Sequence, residues 1–107
     1  MGQRTFDGTD ISDLRTEYDR KVHRALPAQA RASGDWPIHA DHCFARVVLD
    51  NLFDDVWYDH VAGRPAYKHL SQAELEAAIA IADRMLTEGK PAVVALNENS
   101  LAWRGGN

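Results

Sequence analysis

The chain has little of several features that would point to a function at once. It has one cysteine, so no disulfide can form within it, and its cysteine usage gives no sign of an oxidising compartment. No segment approaches the 18 uninterrupted apolar residues of a membrane span. Residues 1–10 have no apolar run typical of a signal peptide, and Phe6 stands where a myristoylation signal needs Ser or Thr. We therefore expect a cytoplasmic protein with no membrane partner.

An excess of positive charge is also missing. Lys and Arg together number 12 against 16 for Asp and Glu, which gives a formal net charge of −4. The basic residues are scattered among acidic ones, whereas nucleic-acid binders usually show a basic stripe and a high pI. Nucleic acid is therefore not expected as a partner. The sequence contains no CxxC and no HExxH pattern, so neither a metal nor another cofactor is predicted.

What is present is ordinary globular composition, with 45% hydrophobic and 26% charged residues. The apolar residues recur at helical spacing, and no segment alternates as a strand would. We expect residues 1–9 to be loose and residues 10–104 to form a single helical domain. The predicted fold class is all-α, a small orthogonal bundle of four to five helices.

Local signals predict where the helices begin and end. A first helix should begin after the capping residue Asp10 and stop or kink at Pro27. A second is expected from about residue 39 to residue 53, and its wide apolar arc predicts neighbours on more than one side. Ser71 and Glu74 form a capping box for a third helix. Gly89 suits its C-terminal end, and a last helix is expected over about 91–101.

The second predicted helix has one face with unusual chemistry, which we call the polar stripe. At 100° per residue its members fall within about 100° of one another. They are His39, His42, Cys43, Arg46 and Asp50.

Three interpretations of the polar stripe are open. In a catalytic one, Cys43 is a nucleophile, His39 one turn earlier is its base, and Asp50 orients the base. His42 points about 100° away from Cys43, so it suits a ligand-binding role, as does Arg46 for a carboxylate or phosphate. In a metal site, imidazole and thiolate would bind zinc, but further ligands at a recognisable spacing are lacking. The favoured interpretation is a solvated scaffold or partner face, with an ion pair between Arg46 and Asp50.

Other residues are candidates for ligand binding because they are amphipathic or are amides on apolar faces. Aromatic and guanidinium groups around the Pro/Gly break at 62–65 and near the C-terminus could line a pocket or simply close the ends of the core. Buried amides need hydrogen-bond partners, which a ligand or a neighbouring loop could supply. These candidates are Asn51, Trp57, Arg64, Tyr67, Asn97, Trp103 and Arg104.

A family resemblance joins several of these positions. The segments are His42-Cys43-Phe44-x-Arg46, Asp50-Asn51, Trp57-Tyr58, Arg64-Pro65-Ala66-Tyr67 and Leu96-Asn97-x-x-Ser100-Leu101-x-Trp103-Arg104. Over about residues 38–105 the chain resembles small proteins of about a hundred residues that are automatically labelled GCN5-related N-acetyltransferase and have no established activity.

That label implies a mixed α/β fold and a glycine-rich turn that binds coenzyme A pyrophosphate at a helix N-terminus. The nearest match here is Arg31-Ala-Ser-Gly34-Asp-Trp36, where the bulky Trp36 ends the motif and no strand precedes it. No acetyl-CoA residue is therefore carried over to this chain.

The leading hypothesis is a small binding or accessory protein that holds a protein partner, including a second copy of itself, or a small anionic ligand. The alternative is a small transferase or hydrolase that uses Cys43, His39 and Asp50. A nucleic-acid-associated regulator is the weakest hypothesis, because the chain is acidic.

Overall fold

The computed structural model describes residues 10–105, and the segment 1–9 that was predicted to be loose lies outside them. Helices dominate the described residues, and no strand occurs among them. The prediction of a small all-α bundle of four to five helices is confirmed. No helix in this part of the chain is long and apolar enough to cross a membrane. The helices are α1 (Ile11–Tyr18), α2 (Leu26–Ser33), α3 (Asp41–Phe53), α4 (Gln72–Glu88) and α5 (Lys90–Trp103).

The first two helices are joined by a π-helical segment, Asp19–Ala25, without a break in the backbone. Asp10 caps α1 as predicted, because its side chain accepts a hydrogen bond from the backbone N–H of Asp13 at 3.0 Å. Of the two outcomes predicted at Pro27, a stop or a kink, the stop is wrong, since α2 continues to Ser33. The wider π-helical turn directly before Pro27 gives room to a ring that would clash with the preceding turn of a regular α-helix.

The central helix is α3. Phe44, Val47 and Val48 on it are fully buried, and it contacts α4, α5 and the π-helical segment. Such contacts on several sides explain its wide apolar arc. It begins at Asp41 rather than at residue 39, because Ile38 is itself buried and Ala40 is extended.

The last two helices form as their local signals indicate. Ser71 and Glu74 make both hydrogen bonds of the capping box, at 3.1 Å and 2.9 Å. Gly89 lies between α4 and α5 with a φ of 75°, which a side chain would strain, and Pro91 lies in the first turn of α5.

Residues 54–70, which we call the α3–α4 loop, cover one end of the bundle. The loop contains two short 3₁₀ helices, Trp57–Asp59 and Ala66–His69. Ala66 and Leu70 are buried in the core and anchor it. The loop also folds closely on itself, because a Cβ atom at Gly63 would lie only 2.6 Å from His69 Nε2.

Candidate functional site

One cavity brings together side chains from α1, the π-helical segment, α3, the α3–α4 loop and the end of α5. We call it the arginine cavity; its volume is about 390 Å³, in the range of small-molecule sites. Its lining residues are Tyr18, His23, His42, Ala45, Arg46, Leu49, Trp57, Tyr58, Arg64, Pro65, Ala66, Tyr67 and Arg104.

Behind the cavity, Asp50 is completely buried and holds three elements together. Its carboxylate accepts hydrogen bonds from Arg104 Nε at 2.7 Å and Arg104 Nη2 at 3.1 Å, and from Ser100 Oγ at 2.6 Å. It also accepts the backbone N–H of Trp57 at 3.0 Å, which positions the first turn of the α3–α4 loop. The Asp50 hydrogen bonds raise the pKa of Arg104, so that this guanidinium stays charged.

The guanidinium of Arg46 is held differently, by neutral groups only. Nη1 donates to Ser100 Oγ at 2.8 Å, and Nη2 donates to Asn97 Oδ1 at 2.9 Å. Among residues 10–105, Arg46 forms no ion pair, although these hydrogen bonds are partly buried. A buried charge is normally paired, because desolvation is costly. Arg46 is therefore fixed in place with its positive charge uncompensated.

Aromatic rings of the α3–α4 loop position the other two guanidiniums. Arg64 lies over the Trp57 ring, with Cζ 5.1 Å from the ring centroid, and Arg104 lies 5.4 Å from that of Tyr58. Such cation–π contacts contribute about 0.5–1 kcal/mol at exposed sites and restrain the side chain. Like Arg46, Arg64 has no carboxylate partner in the described part of the chain.

Another part of the cavity lining is aromatic. The rings of Tyr18 and Tyr67 are stacked with their centroids 5.5 Å apart, and His23 packs against both rings. His23 Nδ1 lies 3.2 Å from Asp41 Oδ2, and this hydrogen bond lowers the pKa of Asp41. The π-helical segment explains the geometry. Its i→i+5 hydrogen bonding brings residues five apart, such as Tyr18 and His23, onto the same side.

Tyr18 combines burial with an unused polar group. Only 1% of the residue is exposed, and burial raises the pKa of its hydroxyl. Within residues 10–105 that hydroxyl has no hydrogen-bond partner, although the residue lines the cavity. It can therefore serve a ligand as a neutral donor or acceptor.

The structure brings six of the predicted ligand-binding residues to this cavity and places others elsewhere. Asn97 supports Arg46 from behind. Asn51 fastens α3 to α5, because its amide donates to the carbonyl oxygens of Val47 and Leu96. Trp103 is half-buried at the end of α5 and does not line the cavity. The six lining residues are His42, Arg46, Trp57, Arg64, Tyr67 and Arg104.

The polar stripe does not exist as a single solvated face. His39 precedes α3 and is exposed in the loop, so it is not one helical turn before Cys43. Cys43 is half-buried against the core and does not line the cavity. The predicted ion pair between Arg46 and Asp50 is replaced by one between Arg104 and Asp50, with Ser100 lying between Arg46 and the carboxylate. The trio proposed for catalysis is therefore not assembled in this cavity.

Several lining residues were missed by sequence reasoning. Tyr18 and His23 were not among the candidate residues, and Tyr58 was named only in the segment Trp57-Tyr58 of the family resemblance. In the described part of the chain, no group of three or more His, Cys, Asp or Glu side chains could hold a metal ion. The sequence signal that could have placed His23 at the cavity is Pro27 inside a helical pattern. A π-helical turn before this proline brings His23 to the side of Tyr18.

The segment compared with the acetyl-CoA turn has a different geometry. Gly34, with a φ of 82°, ends α2, so the segment lies at a helix C-terminus rather than an N-terminus, and Trp36 is buried. No family model, no curated protein and no solved structure matches the chain. The resemblance of residues 38–105 to the small proteins labelled as acetyltransferases therefore stays a prediction.

Proposed function

We propose that this protein binds a small organic anion in the arginine cavity. The observation that supports the proposal is the pair of guanidiniums, Arg46 and Arg64, which are held in position by neutral groups and have no carboxylate partner in the described residues. Holding the partly buried cation of Arg46 fixed and unpaired is unfavourable in the unliganded protein, and an anion would remove that cost. The exposed Arg64 adds a second positive charge at the same cavity.

The remainder of the lining suits the organic part of such a ligand. Leu49, Ala45 and Pro65 are apolar, and Trp57 and Tyr67 are flat aromatic groups. Pockets of this kind use apolar walls for affinity and a few polar groups for orientation. A concave site of this size supports a small ligand over a protein partner, because hot spots for proteins usually lie within broader surfaces.

The proposal can be tested with simple probes by NMR. Benzoate and phenyl phosphate should shift the indole N–H signal of Trp57 and the side-chain N–H signals of the cavity arginines, whereas neutral benzamide should not. Arg46→Gln and Arg64→Gln should each weaken binding about tenfold, the loss of one charge-assisted contact of about 1.4 kcal/mol.

Arg84→Gln is the matched control, because Arg84 lies on α4, pairs with Glu88 at 3.3 Å and does not line the cavity. This variant should bind as the wild type does. Benzamide binding as tightly as benzoate, or the absence of anion binding at millimolar concentration, would contradict the proposal. Arg64 is exposed on the loop, so its variant remains informative even if Arg46→Gln perturbs folding.

A second candidate is a small hydrolase, favoured by the hydrogen bond between His23 and Asp41 at the cavity wall. A carboxylate that orients a histidine is a common general-base arrangement. His23 would take a proton from water as the water oxygen bonds to the ester carbon or phosphorus. The bond to the ester oxygen then breaks, and His23 returns the proton to that oxygen, which leaves as the alcohol.

Release of p-nitrophenolate from p-nitrophenyl acetate or p-nitrophenyl phosphate measures this activity directly. His23→Gln should abolish the release and Asp41→Asn should reduce it. Release no faster than in buffer would rule out the hydrolase and leave the binding proposal intact.

A further inference from the structure

We infer that the anion is a phosphate monoester of a flat ring; this inference rests on the proposed function and specifies its ligand. Among residues 10–105, the titratable groups that line the arginine cavity include three guanidiniums and the histidines His23 and His42, and no carboxylate lines it. Asp50, behind the cavity, is used by Arg104. Asp41 pairs with His23 and faces a second, neighbouring cavity instead. Two positive charges therefore remain for the ligand to neutralise, on a protein whose net charge is −4.

The two unpaired guanidiniums, Arg46 and Arg64, line the same cavity of about 390 Å³. Arg104 lies close to Arg46 with its own charge paired, because Ser100 Oγ accepts from Arg46 and donates to Asp50, which binds Arg104. Two unpaired like charges that line one small cavity favour one compact, multiply charged group. A phosphate monoester carries a charge of about −1.5 to −2 at pH 7 on a single group, whereas a dicarboxylate spreads it over two.

Guanidinium geometry supports the same group. The planar N–H donors of arginine match pairs of phosphate oxygens. Each of the three guanidiniums is already held by protein partners, so little side-chain entropy is lost when the phosphate binds.

The size and lining of the cavity define the remainder of the ligand. His42, Ala45, Arg46 and Leu49 lie on one face of α3, which extends roughly 10 Å along the cavity. That length accommodates a phosphate group and one ring system. The Tyr18 hydroxyl has no hydrogen-bond partner among residues 10–105 and belongs to a residue that lines the cavity, so it is available to a polar atom on the ring.

Isothermal titration calorimetry at pH 7.5 with phenyl phosphate and methyl phenyl phosphate tests the inference. The two probes share the ring and the phosphorus, but the diester has one negative charge and the monoester is mostly doubly charged. We expect the monoester to bind at least tenfold more tightly in the wild type and in Arg84→Gln. In Arg64→Gln the preference should fall below threefold.

Each other outcome has a definite meaning. Equal affinity for the two esters would overturn the phosphate monoester and leave the anion-binding proposal standing. Inorganic phosphate or phthalate binding as tightly as phenyl phosphate would also overturn it, because the first lacks the ring and the second lacks the compact group. If no probe binds, both the inference and the proposed function fail.

Discussion

Two partly buried cations of this molecule have opposite surroundings. Lys21, which is 15% exposed in the groove between α1 and α4, lies 2.7 Å from Glu17 and 2.6 Å from Asp83. Arg46, in the arginine cavity, has only the neutral groups of Ser100 and Asn97. In the groove, the charge of Lys21 is paired with two carboxylates of the protein, and these ion pairs contribute to the fold. In the cavity, Arg46 is held in place without a carboxylate partner, which is the arrangement expected where a ligand supplies the negative charge.

The largest loss of stability should come from leaving a third cation of the cavity, Arg104, without its carboxylate partner. Asp50→Ala removes the carboxylate that holds Arg104, Ser100 and the backbone of Trp57. Breaking a buried pair in this way costs about 3 kcal/mol of unfolding free energy. Urea denaturation measures the loss, and Asp50→Asn, which keeps the shape, should lose less. A loss below about 1 kcal/mol would mean that Asp50 does not organise the cavity.

The difference between the Lys21 groove and the Arg46 cavity can be tested by measuring how much a ligand stabilises the folded protein. Phenyl phosphate at tenfold over its Kd should stabilise the wild type by about 1.4 kcal/mol, because the ligand binds only the folded state. Lys21→Gln should respond equally, whereas Arg46→Gln should respond little. Thermal unfolding with and without the ester measures the difference. Equal stabilisation of the two variants would remove the distinction between the cavity and the groove.

The ion pair between Glu17 and Lys21 in the groove should make the free energy of unfolding depend on pH in the acid range. Hydrogen bonds from Lys21 and Arg20 lower the pKa of Glu17 below its ordinary value of 4.5. The stability from this pairing is therefore present above about pH 4.5 and is lost as the pH falls through the lowered pKa. Lys21→Met should cost about 1 kcal/mol or less at pH 7 and flatten the acid limb of the stability profile. A profile parallel to that of the wild type would show that Lys21 contributes no pairing.

The smallest change in stability is expected when the Tyr18 hydroxyl, which has no described hydrogen-bond partner, is removed. Tyr18→Phe should leave stability at pH 7 within about 0.5 kcal/mol, because no described residue loses a hydrogen bond. Burial raises the pKa of Tyr18, so the wild type loses stability as the pH rises above about 10, where the unfolded chain ionises first. The variant should lose less over that range in urea titrations. Identical alkaline profiles would mean that the hydroxyl is solvated in the folded protein.

The parts of this fold that could be predicted are those with local causes. Ser71 and Glu74 are three residues apart, and they define the start of α4 by hydrogen bonds within one turn. The arginine cavity depends on contacts between distant residues. Arg104 and Asp50 are 54 positions apart, and nothing in the sequence chooses Arg104 over Arg46 as the partner of Asp50. His23 was missed because a period of 3.6 residues places it about 140° from Tyr18.

The π-helical segment also determines how the cavity depends on chain length. A π-helical turn contains one residue more than the α-helical turn it replaces, so it can be treated as an insertion in α-helical register. Deleting one residue between Asp19 and Ala25 would let α1 and α2 merge into a regular helix. If the deleted residue lies before His23, this histidine becomes the fourth residue after Tyr18, about 40° from it in a regular helix, and it stays on the wall. A one-codon deletion there would then preserve both the helix and the site, because the π-helical turn already holds one extra residue.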